Sequence, residues 1–295
     1  MTTDATTGRG LGALRTLTAI AAVANLTLAA GFVTRQPWAV RLWPWETGRL
    51  SHLFLASMLA AIGVAAAWIA ASGELPSLPA GFLNLTITLA GIAGYLLASV
   101  PEERALGVWV GALALVNLGL LVGCKVLPPP TGEPLPTLVR VSYVVFAALL
   151  AVVGVALILG VGGVMPWPVD PDTGVVFGWI FFGDAAYFAY AVLRPHWSSA
   201  RAQLWSFLGY DVVLLPPLAA HLPQVDAARR LNLLVYLAVL AYSGLLAIRY
   251  LIWDPRTRGW GRRRLRQPSA SAAPPGSGAP AGSPRHRRRR RRPPA

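Results

Sequence analysis

Eight apolar stretches divide this chain: 14–34, 51–72, 79–99, 106–126, 138–161, 174–193, 201–221 and 230–253. At about 1.5 Å of rise per residue, about 20 apolar residues cover the roughly 30 Å of bilayer hydrocarbon. The separators are charged and rich in proline: RQPWAVRLWPWETGR, SGELPSLP, PEER, LPPPTGEPLP, MPWPVDPDTG, RPHWSS and LPQVDAARR. Their backbone groups need water, so they belong outside the hydrocarbon. The pattern predicts an all-α, polytopic integral membrane protein of about eight transmembrane helices. NLTIT at 84–88 and Pro216-Pro217 weaken the third and seventh stretches, leaving seven or nine crossings as alternatives. The first stretch follows Arg9 and Arg15 but, at about 18–20 apolar residues, exceeds the 7–15 of a cleaved signal core, so it reads as a retained span.

The two halves of the pattern resemble each other. Pro44-Trp45 and Thr47-Gly48 lead into the second stretch as Pro166-Trp167 and Thr173-Gly174 lead into the sixth. Val100-Pro101 closes the third as Leu222-Pro223 closes the seventh, and ALVNLGLL in the fourth parallels VLAYSGLL in the eighth. The offsets are 122, 126, 122 and 125 residues for these four landmarks. Four spans per unit is an even number, so both units enter the membrane in the same sense, as tandem parallel repeats. The expected organisation is an N-terminal cytoplasmic segment (1–13), a first four-helix repeat (14–126), a Pro-rich linker (127–137), a second four-helix repeat (138–253) and a disordered Arg/Pro-rich cytoplasmic tail (254–295).

Composition sharpens this. Charged residues make up 13% of the chain against roughly 25% in soluble domains, which points to a bilayer. The net charge of +14 is concentrated: 13 arginines and no acids follow Asp254, so the body is nearly neutral. Lysines and arginines in the loops divide evenly between the two faces, and GRRRLR directly after the last span places both termini in the cytoplasm of a cell-membrane protein. Trp38, Trp43, Trp45 and Trp167 then fall at the outer interface as belt residues. The lipid bilayer is the expected partner, with anionic headgroups against the basic tail and no specific nucleic acid. The single cysteine, Cys124, excludes an internal disulfide and a cysteine metal cluster, and no cofactor or metal is expected.

The Pro-Trp elements, LWPWETGRL at 42–50 and MPWPVDPDTG at 165–174, make spans 2 to 8 resemble a loosely defined group of uncharacterised bacterial multi-pass membrane proteins. In that group a WPW-type element precedes an even-numbered span and recurs in the second half. The resemblance implies multi-pass architecture and carries no activity.

The candidate chemistry is intramembrane. Asp184 lies ten residues past Gly174 and Asp211 ten past Arg201, so each carboxyl sits about 15 Å from its own face, near the midplane. The connection 194–200 is short, which predicts antiparallel neighbours whose carboxyls meet. A mid-span aspartate costs about 2.5–3.5 kcal/mol on insertion scales, and intramembrane acids commonly carry protons or bind cations. Asp184 and Asp211, with Tyr187 and Tyr210, are therefore substrate- or proton-binding candidates. The plainer alternative is that Tyr187, Tyr190, Ser206 or Tyr210 hydrogen-bonds the acids as packing.

A polar stripe on span 3, Asn84, Thr88, Gly91, Tyr95 and Ser99, is expected to face a cavity or a partner helix. Gly107-x-x-x-Gly111 and Gly119-x-x-x-Gly123 are expected to admit close neighbours. Pro216-Pro217 predicts a broken helix past Asp211. Asp170 and Asp172 form an Asp-x-Asp loop of the kind metal-dependent sugar transferases use, or a solvated turn. HExxH, GxSxG and P-loop motifs are absent. Small-solute or proton-coupled transport is the leading expectation; a membrane-embedded glycosyltransferase-like enzyme and a non-catalytic membrane scaffold are the alternatives.

Overall fold

The computed structural model describes residues 3–45, 47–127, 133–255 and 257. Part of the linker, 128–132, and the Arg-rich tail from 258, with its lipid-binding expectation, lie outside the described residues.

Each predicted stretch coincides with one long helix: α1 (Thr3–Val33), α3 (Arg49–Ser72), α4 (Leu78–Ser99), α5 (Arg104–Gly123), α6 (Thr137–Ile158), α7 (Pro171–Leu193), α8 (Trp197–His221) and α9 (Ala227–Ile248). A short α2 (Pro37–Val40) precedes α3, and a π-helical turn, Arg249–Trp253, closes α9. Helix ends follow local chemistry. The Asp170 side chain accepts from Thr173 N at 2.9 Å and caps α7, whose first residue is Pro171. Gly73, at φ 74°, ends α3 in the left-handed conformation that a side chain disfavours. Among the described residues there is no strand beyond one isolated bridge, Pro134 with His196.

Among the described residues, seven helices are long and apolar enough to cross a membrane. The fold is therefore an all-helical, multi-pass membrane protein. The exception by hydropathy is α8, which is as long as the others but carries Ser198, Ser199, Arg201, Gln203, Ser206 and His221. Its first half is enclosed by protein, with Ala200, Ala202, Gln203 and Leu204 at 0% exposure, so the polar groups there, unlike His221 at the far end, face neighbours and not lipid. In contrast α5 turns Val108, Trp109, Leu115 and Val116 outward, an exterior that an apolar solvent suits.

The helices associate as four pairs, α1 on α3, α4 on α5, α6 on α7 and α8 on α9, joined crosswise by α3 against α8 and α4 against α7. Small residues set the closest approaches. A Cβ on Gly154 would meet Gly178 O at 2.8 Å, and one on Gly178 would meet Gly154 O at 2.8 Å, so α6 and α7 touch backbone to backbone. Gly209 of α8 faces Ala60 O of α3 in the same way. Gly107 and Gly111 face Leu96, Leu97 and Ala93 of α4, as their spacing predicts.

Four expectations need correction. Gly119 and Gly123 have open space where a side chain would go and admit no close neighbour among the described residues. Trp167 is no belt residue: it is 3% exposed, donates from Nε1 to Ser51 Oγ at 3.1 Å and packs on Phe54 and Tyr236. Pro216 and Pro217 do not break α8, which runs on to His221. The cost is the missing backbone donors to Val212 and Val213 one turn earlier. Finally, α7 and α8 are held apart at the backbone and meet through long side chains, Phe188 stacked on Phe207 and Gln203 Nε2 donating to Tyr187 O at 2.6 Å.

These contacts separate two kinds of glycine. Gly154→Ala and Gly178→Ala should each destabilise the protein by about 1–3 kcal/mol through overpacking, whereas Gly119→Ala and Gly123→Ala should be neutral or slightly stabilising. Thermal unfolding of purified variants in one detergent checks this, and equal midpoints in all four would refute the packing assignment.

Candidate functional site

Asp184 lies thirteen residues after Pro171 and nine before Leu193; Asp211 lies fourteen after Trp197 and ten before His221. Both are near the middle of their helices, yet they do not bond to each other. Asp184 Oδ1 accepts from Asn84 Nδ2 of α4 at 2.7 Å. Thr88 Oγ1 donates to Asn84 Oδ1 at 3.0 Å and lies 3.3 Å from Trp179 O, which fixes the amide so that its NH2 faces the carboxyl. Asp211 turns the other way, toward α9, where Ser243 Oγ lies 3.3 Å from Oδ2 and Gly244 leaves room for the carboxyl.

The α4 stripe resolves as a seam on α7. A Cβ on Gly183 would lie 2.0 Å from Thr88 Oγ1, and one on Gly91 would lie 2.0 Å from the Trp179 ring. Only glycine at these two positions lets α4 and α7 approach closely enough for Asn84 to reach Asp184. At the far end of the seam Tyr95 OH donates to Asp172 Oδ1 at 2.5 Å. Asp170 and Asp172 thus each have a structural partner, the helix cap and this tyrosine. Among the described residues no group of three or more His, Cys, Asp or Glu is placed to hold a metal.

A cavity of about 350 Å³ opens at the centre of the bundle beside Asp184. Six helices line most of it: α1, α3, α4, α7, α8 and α9. Tyr187, Tyr210 and Tyr236 stand on its wall, with the last two hydroxyls hydrogen-bonded to each other. Asp184 is the one Asp, Glu, Lys, Arg or His among the described residues that line it; Asp211 lies outside the lining. Asp184 Oδ2 has no hydrogen-bond partner among the described residues, so half of the carboxylate is available to an occupant. Most other wall hydroxyls and amides are occupied within the protein: Thr18 donates to Leu14 O, Asn25 to Ala21 O and Ser206 to Ala202 O. Leu17 and Leu120 belong to the wall and also to the exterior, at 59% and 38% exposure, so an apolar rim joins the cavity to the outside of the bundle.

A second polar constellation escaped the sequence reading. Glu74, in the α3–α4 turn, pairs with Arg201 of α8 at 2.7 Å, with side-chain exposures of only 10% and 15%. Trp68 Nε1 donates to the other Glu74 oxygen at 3.0 Å, and the Arg201 guanidinium lies over the Trp68 and Trp197 rings at 5.9 and 5.4 Å. The only hint in the sequence was one charge in a short separator, Glu74, and one at the first position of the seventh stretch, Arg201. Close by, Arg15 donates to the carbonyls of Ala70 and Ala71, the open end of α3. Cys124, just past α5, is half-buried, and desolvation raises its pKa, which leaves a protonated and weakly nucleophilic thiol.

No known protein family, curated protein or solved structure matches this chain.

Removing one member of a buried ion pair strands the other charge. Arg201→Met should cost about 3–5 kcal/mol, and adding Glu74→Gln should recover part of that loss. Unfolding midpoints of the two single variants and the double variant measure this; strictly additive losses would show that the pair does not hold the turn to α8.

Proposed function

We propose that this protein is an eight-span carrier of a small solute, coupled to protons, with Asp184 as the polar anchor of its central cavity. The observation that carries this reading is a lone, half-satisfied carboxylate on the wall of a mid-bundle chamber. A group of this kind is costly inside a membrane and alternates readily between holding a proton and holding a ligand. Asp211, turned to Ser243 and outside the chamber, reads as a packing group. The partners of Asp170 and Asp172 favour a role in the fold over sugar transfer.

Connectivity supports eight crossings. The start of α8 is tied to the ends of other helices: Ser77 Oγ donates to Ser198 O at 2.6 Å, Leu135 N to Pro195 O at 2.9 Å, and Trp197 Nε1 to Thr257 O at 3.2 Å. These residues are the α3–α4 turn, the approach to α6 and the exit of α9. With α7 ending and α9 finishing at that face, α8 has to return the chain to the opposite one. Its 25 residues span about 37 Å, enough for the hydrocarbon.

Packing also supports the duplication. Exchanging α1, α3, α4 and α5 for α6, α7, α8 and α9 leaves the set of pairs unchanged: α1·α3 becomes α6·α7, α4·α5 becomes α8·α9, and α3·α8 becomes α7·α4. Tandem parallel repeats about an axis along the membrane normal have this property. The basic segment after α9 favours termini in the cytoplasm of a cell-membrane protein.

Transport is tested in liposomes carrying a pH gradient and an entrapped pH dye, challenged with a panel of small solutes. At least one solute should trigger proton release, and Asp184→Asn should reduce its rate by about tenfold or more. Release unchanged in the variant, or none for any solute, overturns the reading. Topology is tested with single cysteines in a Cys124→Ala background and an impermeant thiol reagent on intact cells. Cysteines at Gly162 and Gln224 should label, and one at Ser72 should label only after permeabilisation. Labelling of Gln224 and Gly162 from opposite sides would remove the eighth crossing.

A further inference from the structure

The chamber restricts what it can hold. Its wall has one acid and no lysine, arginine or histidine among the described residues, so an anion would meet a carboxylate with no compensating cation. Around Asp184 the wall is aromatic. Phe181, Tyr187, Phe188, Phe207, Tyr210 and Tyr236 all contribute, and ring faces attract cations. Beyond them the wall is aliphatic, built from residues such as Leu14, Ile62, Leu85 and Leu150, and with few free hydrogen-bonding groups it gives poor solvation to a sugar or a polar amino acid. The rim at Leu17 and Leu120 is apolar as well, and both residues are on the outer surface of helices apolar enough to face lipid.

We infer that the chamber binds a hydrophobic organic cation, its charged nitrogen or phosphorus centre at Asp184 among the aromatic rings and its apolar body along α1 and α3, with access from the bilayer past Leu17 and Leu120. This rests on the carrier reading only for the release and movement of a bound cation; the occupant's chemistry comes from the wall itself.

The probes are tetraphenylphosphonium and tetraphenylborate, which share size and shape and differ in the sign of charge. Equilibrium binding is measured on the full chain in lipid nanodiscs, with empty nanodiscs subtracted. The phosphonium should bind saturably and the borate about tenfold or more weaker. Asp184→Asn, checked for an unchanged helical circular dichroism spectrum and melting midpoint, should lose about tenfold in phosphonium affinity. Equal binding of the two ions to the wild-type protein overturns the inference without any variant, as does absence of binding by both. Asp184-dependent phosphonium binding without proton release in liposomes would leave the inference standing and sink the carrier reading. Asp184-dependent release with a neutral solute, and no preference between the two ions, would do the reverse.

Discussion

Asn84 reaches Asp184 only where Gly183 has no side chain, and the central architecture follows from that approach. A carboxyl buried far from water needs a donor, and a donor of fixed orientation holds it best. Thr88 supplies the orientation by bonding the amide oxygen, which turns the NH2 toward the acid. The same close approach lets Trp179 lie flat over Gly91 and brings Tyr95 to Asp172 at the end of the seam. One interhelical contact thus sets the position of α7 against α4, and with it one wall of the chamber.

The chamber itself arises from how the pairs are joined. Because α3 packs on α8 and α4 on α7, while α7 and α8 keep their backbones apart, the four inner helices leave a space at their centre that only long side chains enter. Phe188 on Phe207 and the bonded hydroxyls of Tyr210 and Tyr236 close it from one side. The Glu74–Arg201 pair and its tryptophans hold α8 at one end, and Trp167 on Ser51 holds the other half at the opposite end. These fastenings are polar, directional and few, which suits a medium in which apolar contact alone gives helices little reason to prefer one neighbour.

The sequence made the helices legible because lipid demands long apolar runs and proline-rich separators mark their ends. Spacing also exposed the α4 stripe, since residues three or four apart share a face. What spacing cannot carry is the identity of the facing helix. Asp184 was matched with Asp211 because the two lie at one depth in consecutive helices, yet each turns to a helix a hundred or thirty-two residues away in sequence. Pro216-Pro217 looked like a break because proline removes two backbone donors, yet α8 runs on through both to His221. Trp167 looked interfacial for the same reason as Trp45, since tryptophan beside proline gives no sign of whether a serine waits across the bundle. Glu74 and Arg201 were invisible as a pair because one was a single charge in a short loop and the other a single charge at the start of a distant apolar stretch.

The asymmetry between the halves gives the chamber its direction. At the 126-residue offset of the Thr-Gly landmarks, the counterpart of Asp184 is Met58, and Met58 also stands on the chamber wall. On the proposed repeat, two related positions therefore face one space, one as an acid and the other as a flexible thioether. A chamber with two acids would hold them at mutual cost, and one with two methionines would have no reason to be near Asn84. Under the proposed duplication, divergence at this one position gives the wall a charged pole and an apolar pole, which matches the inferred occupant with a cationic end and a greasy end. Under the proposed duplication, the two halves together supply the enclosure, and the difference between Met58 and Asp184 supplies the proposed selectivity.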